Sequence, residues 1–223
     1  MRKSIAYTIT SALALSLLAC SPADKSAAPT NAMDWSESTA LITEQTTGDV
    51  MLDKWPGPYG GVPQWDKIDV NTMSASLTKA MDMAKAEIAE IASNSAAPNF
   101  DNTIVALEKS GAALDRAGSV FGVYASNLNK DPVPDILKEM SPKFAAFSDS
   151  ITQNADLFAR IKAVYDNQGR LNTEQKRLVT DYYQDFVRGG ANLNDADKEI
   201  LRTIDKELSQ TSLSFGENVL AAT

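Results

Sequence analysis

From Met73 onward large apolar residues recur at spacings of three and four, and no run of them alternates with a period of two. That spacing commits the chain to helices that bury one stripe each, because a strand facing a core alternates with a period of two. The expected fold class is all-α, with about six helices. Thr72 to Ser93 aligns Met73, Leu77, Met81, Ala84, Ile88 and Ile91 on one stripe. Ser95-Ala96-Ala97-Pro98 interrupts it. The next segment reads as one continuous helix, capped by Asp101 and stapled by Phe100. It places Ile104, Leu107, Leu114, Phe121, Tyr124 and Leu128 on one side. Gly111, Gly118 and Gly122 fall near that stripe, and each costs about 1 kcal/mol against alanine inside a helix. A closely crossing neighbour would explain them.

Asp131-Pro132 turns the chain into a third helix, Val133 to about Gln153, which Pro142 is expected to kink or split. Asn154 caps a fourth holding Leu157, Phe158, Ile161, Val164 and Tyr165. Asn172 and Gln175 form a capping-box pattern for a fifth, with Leu178, Tyr182 and Phe186, which Gly189-Gly190 stops. Asn194 caps a sixth, carrying Ile200, Leu201, Ile204, Leu208, Leu213, Phe215 and Val219. No Gly, Pro or basic turn closes that last helix. The helical domain, residues 51–223, is therefore expected to be incomplete at its C-terminal end and to lean on further material.

The front of the chain reads as an address. Arg2 and Lys3 precede an uncharged apolar run from Ile5 to Leu18, and Leu17-Leu18-Ala19-Cys20 has the form of a bacterial lipoprotein cleavage box. Residues 1–19 are expected to be a lipoprotein signal peptide, with Cys20 the lipidated new N-terminus; an ordinary secretory signal with an incidental cysteine is the alternative. Residues 20–50, rich in Ser, Thr, Ala and acids, read as a flexible tether. The expected location is the periplasm, anchored by lipid to a membrane; Ser21 after the cysteine favours the outer one. Lys54 to Ile68 reads KWPGPYGGVPQWDKI. Prolines and glycines at this density exclude regular helix and strand, while Trp55, Tyr59 and Trp65 each offer roughly 150–250 Å² to bury. The segment reads as an ordered strap across the helical body, or as an aromatic ligand-binding loop.

Charge and residue types narrow the chemistry. The net charge is −8, and loss of the segment holding Arg2 and Lys3 makes it −10. Such a surface repels phosphate backbones, so no nucleic-acid partner is expected. Cys20 is the only cysteine, and there is no histidine among the 223 residues. That absence removes the usual catalytic triad and the usual zinc helix. No catalytic residue and no metal ligand can be named. Asp195, Asp197 and Glu199 read as complements to a helix dipole, and Met73, Met81 and Met83 as adaptable core packing. Tyr182, Tyr183 and Phe186 either line a channel or pack a core, with packing the expected role for two of them.

Several stretches resemble one family. KWPGPYGGVPQWDKI is similar to the strap that opens the peptidyl-dipeptidase Dcp branch of the thimet oligopeptidase family. PNFDNTIVALEKSGAALDR (Pro98 to Arg116), EQKRLVTDYYQDFVRGGANL (Glu174 to Leu193) and ELSQTSLSFGENVLAAT (Glu207 to Thr223) resemble its N-terminal helices. The resemblance runs from about Met51 to Thr223. It implies the N-terminal lobe of a helical, channel-containing zinc metallopeptidase that admits only short oligopeptides and releases dipeptides from a free C-terminus. It also implies a zinc cofactor in the complete family enzyme, held beyond Thr223 by a His-Glu-x-x-His helix, and none bound by this chain. The partners implied are oligopeptide substrates, a membrane reached through the lipid on Cys20, and a missing C-terminal catalytic domain of the same polypeptide. The alternative is a stand-alone, lipid-anchored helical periplasmic binding module without enzymatic activity.

Overall fold

A computed structural model describes residues 46–222 apart from Tyr59. Cys20, the expected signal peptide and nearly all of the expected tether lie outside the described residues. Among those described, every regular element is helical: α1 (Met73–Ala92), a π-helical turn (Phe100–Val105) running into the short α2 (Ala106–Lys109), α3 (Ala112–Asn127), α4 (Val133–Thr152), α5 (Ala155–Asp166), α6 (Thr173–Arg188) and α7 (Asp195–Ala221).

The stripe read along α1 is the axis of the molecule. Its first half sends Met73, Leu77, Ala80 and Met81 into a core shared with Ala117, Val120 and Phe121 of α3 and Val133, Ile136 and Met140 of α4. Its last turns send Ile88 and Ile91 into a second core with Phe100, Ile104 and Leu107, with Leu157, Phe158 and Ile161 of α5, and with Val179 and Phe186 of α6. Each fully buried side chain of this size contributes roughly 1.5–3 kcal/mol. The stripes of α1 to α6 thus bury one another.

The second helix departs from expectation. Asn99, not Asp101, is the cap: Asn102 N donates to Asn99 Oδ1 at 2.8 Å, and Asn99 N donates to Asn102 Oδ1 at 2.9 Å. A wide π-helical turn follows, and Thr103 through Leu107 are all buried in succession. An amphipathic stripe could not produce that pattern; this segment is enclosed by α1, α5 and α6. The helix then breaks at Gly111, whose φ of +77° is left-handed and whose amide donates to Glu87 Oε2 at 2.7 Å. Gly111 is therefore a hinge between two helices rather than a crossing point. Gly118 and Gly122 have open space where a Cβ would stand, so no helix crosses closely there either. Pro142 does not split α4. Ile136 and Met140 before it, and Phe144 and Phe147 after it, pack on the same core and hold the helix through the lost hydrogen bond.

Other local signals form as read. Asn154 accepts from Leu157 N, Asn172 and Gln175 exchange bonds at 2.9 and 3.0 Å, and Asn194 accepts from Asp197 N. The strap is pinned at its start. Asp53 accepts from Thr47 N and Oγ1 and from Gly48 N, Ser76 Oγ donates to Asp49 at 2.6 Å, and Arg116 Nε donates to the Leu52 carbonyl at 2.8 Å. Hydrogen-bonded structure is thus already present at Thr47, ahead of the expected Met51 start. Met51 and Leu52 fill the first core, and Trp55 packs against it. Trp65 does not bury as expected: it remains 42% exposed, touching Tyr124 at 6.4 Å between ring centroids.

Arg160 of α5 is buried, and its guanidinium donates to the carbonyls of Asn94 and Ala96 and to Asn102 Oδ1. It thereby ties the α1–α2 connection to the second core, where hydrogen bonds to a charged group contribute about 1.5–3 kcal/mol each. Arg160→Met is expected to lower unfolding free energy by about 2–4 kcal/mol in urea titration, because the stem is replaced but the carbonyls lose their donor. Gly61 has φ of +85°, and a Cβ there would stand 2.7 Å from Trp55 Cβ. Gly61→Ala is expected to displace Trp55, seen as a red-shifted tryptophan emission with α1 to α6 still helical by circular dichroism.

Candidate functional site

The surface of α7 and its groove against α4 gather the polar and apolar groups that the two cores leave unused. Asn194 caps α7, and Asp195 and Asp197 sit in its first turn, where carboxylates complement the helix dipole. The helix runs antiparallel to α4: Lys138, early in α4, meets Glu217, late in α7, at 3.1 Å, while Gln153, just past the end of α4, accepts from Arg202. None of its described side chains is fully buried.

The apolar residues read as one set on this helix divide into two faces. Leu201 and Leu213 are half-buried against α4, in line with Asp205, Ser209 and Glu217. Ile200, Ile204, Leu208, Phe215 and Val219 point away and are between 46% and 69% exposed. At 1.5 Å per residue they form a continuous stripe ~28 Å long. Single exposed apolar residues are ordinary, whereas an aligned set marks a contact surface.

Between α4 and α7 lies an open groove of about 750 Å³, walled by Glu139, Pro142, Lys143, Ala146 and Asp149 on one side and by Glu199, Arg202, Thr203, Lys206, Glu207 and Gln210 on the other. Its charges are largely paired: Lys143 with Glu139 at 2.6 Å, and Arg202 with Glu199 at 2.7 Å. Among its walls Asp149 is 8% exposed. Burial, followed by the neighbouring Asp205 carboxyl, pushes Asp149 above the usual aspartate range, while Arg202 opposes the shift.

The aromatic trio takes the packing role. Phe186 is buried in the second core. Tyr183 stacks on Tyr165 at 4.1 Å and on Phe158 at 5.6 Å, clamping α6 to α5. Tyr182 Oη donates to Glu108 at 2.6 Å, and its burial together with that carboxylate raises the phenol well above its ordinary range. None of the three lines the α4–α7 groove.

Zinc requires imidazole, thiolate or carboxylate donors converging on one point. The sequence has no histidine, and among the described residues no three His, Cys, Asp or Glu side chains are grouped to hold a metal ion. The residues present do not fit zinc, and no chemical step passes through one here. Cys20, the expected lipidation residue, lies outside the described residues. No described helix is long and apolar enough to cross a membrane.

No family model matches the chain. It is 35% identical over 162 residues to dipeptidyl carboxypeptidase of Escherichia coli (strain K12), an alignment covering 72% of this chain and 24% of that protein. It is 34% identical over 174 residues to dipeptidyl carboxypeptidase of Salmonella typhimurium, covering 77% and 25%. It is also 24% identical over 166 residues to a probable cytosolic oligopeptidase A of Arabidopsis thaliana, covering 72% and 23%. The chain thus spans about a quarter of the length of the relatives it matches.

Because the α7 stripe supports no core, polar substitution there should cost little stability, within about 0.5 kcal/mol per site. Ile204→Ser, Leu208→Ser and Phe215→Ser are each expected to leave the unfolding midpoint nearly unchanged. Combined, they should sharply reduce binding of a hydrophobic dye to the native chain.

Proposed function

The chain belongs to the family of the dipeptidyl carboxypeptidases and oligopeptidases, and from that membership we propose that it is the front helical wall of the substrate channel of a zinc-dependent peptidyl-dipeptidase acting on short oligopeptides. By itself the chain is non-catalytic. The carrying observation is the match itself: this chain aligns to a quarter of a peptidase at 35% identity, yet contains no histidine with which to build a zinc site. The exposed stripe on α7 supports the reading, because it offers the remaining polypeptide a surface that α1 to α6 do not use. In this reading the remaining polypeptide supplies zinc ligands and the general base, and this chain shapes and restricts the path of the peptide. Lipid on Cys20 holds the whole at a membrane facing the periplasm.

A second reading is favoured by the two closed cores. Helices α1 to α6 bury their stripes without further material, as a stand-alone, lipid-anchored binding module would require. The two readings differ downstream of Thr223. The first expects the intact reading frame to continue into a His-Glu-x-x-His motif, and a stop codon at that point in an intact genome overturns it. At the bench, the purified chain supplied with zinc is expected to release no dipeptide from short peptides; zinc-dependent, chelator-sensitive hydrolysis by a clean preparation would refute the non-catalytic assignment. Labelling with a radioactive fatty acid is expected to mark the native chain and to be abolished by Cys20→Ala.

A further inference from the structure

The body carries a second exposed apolar surface, and it lies where the chain ahead of Thr46 joins. The amide of Gly111, at the start of α3, donates to Glu87, late in α1. Helix α3 therefore runs back along α1 over the first core, and its last turns stand beside the first turns of α1. At that end Tyr124 of α3 meets Trp65 of the strap, with ring centroids 6.4 Å apart. Trp65 is 42% exposed, and Leu128, one turn beyond Tyr124 on the same side, is 49% exposed. Val62, three residues before Trp65, is 60% exposed. The chain enters the body at this same end. Asp49 accepts from Ser76 in the first turn of α1, and Thr47 N donates to Asp53 just ahead of the strap.

We propose that Trp65, Tyr124 and Leu128 form a membrane-resting surface, which settles into the headgroup layer of the bilayer that carries the lipid on Cys20. The surface rests on the lipid-anchor reading of Cys20 and is independent of the peptidase reading. Tryptophan and tyrosine join an apolar ring to a polar N–H or O–H, which suits a layer that is apolar on one side and wet on the other. Lys54, Lys67 and Lys130 flank these residues in sequence and are exposed, but so are Asp66, Asp69 and Asp131. With local charge balanced in this way, a strongly charged partner gains nothing, whereas zwitterionic headgroups fit. Two rings and a leucine offer a few hundred Å², well short of the roughly 800 Å² per partner that a stable pairing with a second copy buries. A membrane already held nearby needs less. A flexible tether over residues 20–45 spans roughly 30 Å, and a second contact joined by such a linker acts at an effective concentration of about millimolar. Weak insertion then suffices to fix which end of the body faces the bilayer.

Cys20 is the only cysteine, so the chain beginning at Cys20, which keeps every described residue, can be coupled through that thiol to maleimide-bearing phosphatidylethanolamine in phosphatidylcholine vesicles. Part of the phosphatidylcholine is brominated near the top of its acyl chains, where it quenches tryptophan at short range. The native chain is expected to lose severalfold more emission to the bromines than Trp65→Phe, in low and high salt alike. Leu128→Asp, a change at an exposed position, is expected to bring quenching down to the level of Trp65→Phe. The combined Ile204→Ser, Leu208→Ser and Phe215→Ser variant on α7 is expected to be quenched like the native chain. Equal quenching of the native chain and Trp65→Phe overturns the surface, as does loss of quenching in the α7 variant but not in Leu128→Asp. A Trp65 shielded from both the bromines and soluble acrylamide is covered by a second copy or by residues ahead of Thr46, and overturns it too. Failure of fatty-acid labelling at Cys20 in cells overturns the anchor reading instead, and the coupled chain separates the two because its attachment is chemical.

Discussion

A single helix feeding two cores is the constraint on which the rest depends. The stripe on α1 begins in the core built with α3 and α4, and ends in the core built with α5 and α6. Neither core closes without it, so the register of α1 fixes where the strap, the broken α2–α3 segment and the later helices can dock. Arg160 and Glu87 work to the same end. One ties the connection after α1 to α5, and the other holds the turn at Gly111 against α1 itself. Both use charge to satisfy backbone groups of the connecting segments, and a hydrogen bond to a charged group contributes about 1.5–3 kcal/mol.

Most of this was legible because it rests on local rules. Apolar spacing located the helices, and Asn154, Asn172 with Gln175, and Asn194 announced their starts through side-chain geometry alone. What was not legible came from tertiary enclosure. The residues Thr103 to Leu107 look like part of an amphipathic stripe until neighbours cover every side and the backbone widens to admit them all. Gly111 belongs in the sequence to a helix with two other glycines, and only its positive φ separates a hinge from the tolerated Gly118 and Gly122. Pro142 gave the expected warning, but packing on both sides outweighed one missing hydrogen bond.

The candidate site was less legible than the fold, for a physical reason. Adjacent apolar residues such as Ile200 and Leu201 point about 100° apart on a helix, so a list of apolar positions on α7 cannot say which of two faces meets a neighbour. The structure separates them, with Leu201 and Leu213 towards α4 and the Ile200 to Val219 stripe towards solvent. Nor does any spacing announce that Arg202 of α7 reaches Gln153, just past the end of α4.

The division between body and last helix follows from where burial was available. Helices α1 to α6 used their apolar residues on one another, which left α7 to be held by paired charges and half-buried leucines. A helix attached that way is easier to reposition than one locked by a core, since each polar contact contributes about a kilocalorie per mole or less when solvent reaches it. The same helix carries the largest aligned apolar surface among the described residues. A surface that costs little to move and gains from being covered belongs at a junction, so the body needs its rigidity in α1 and its adaptability in α7.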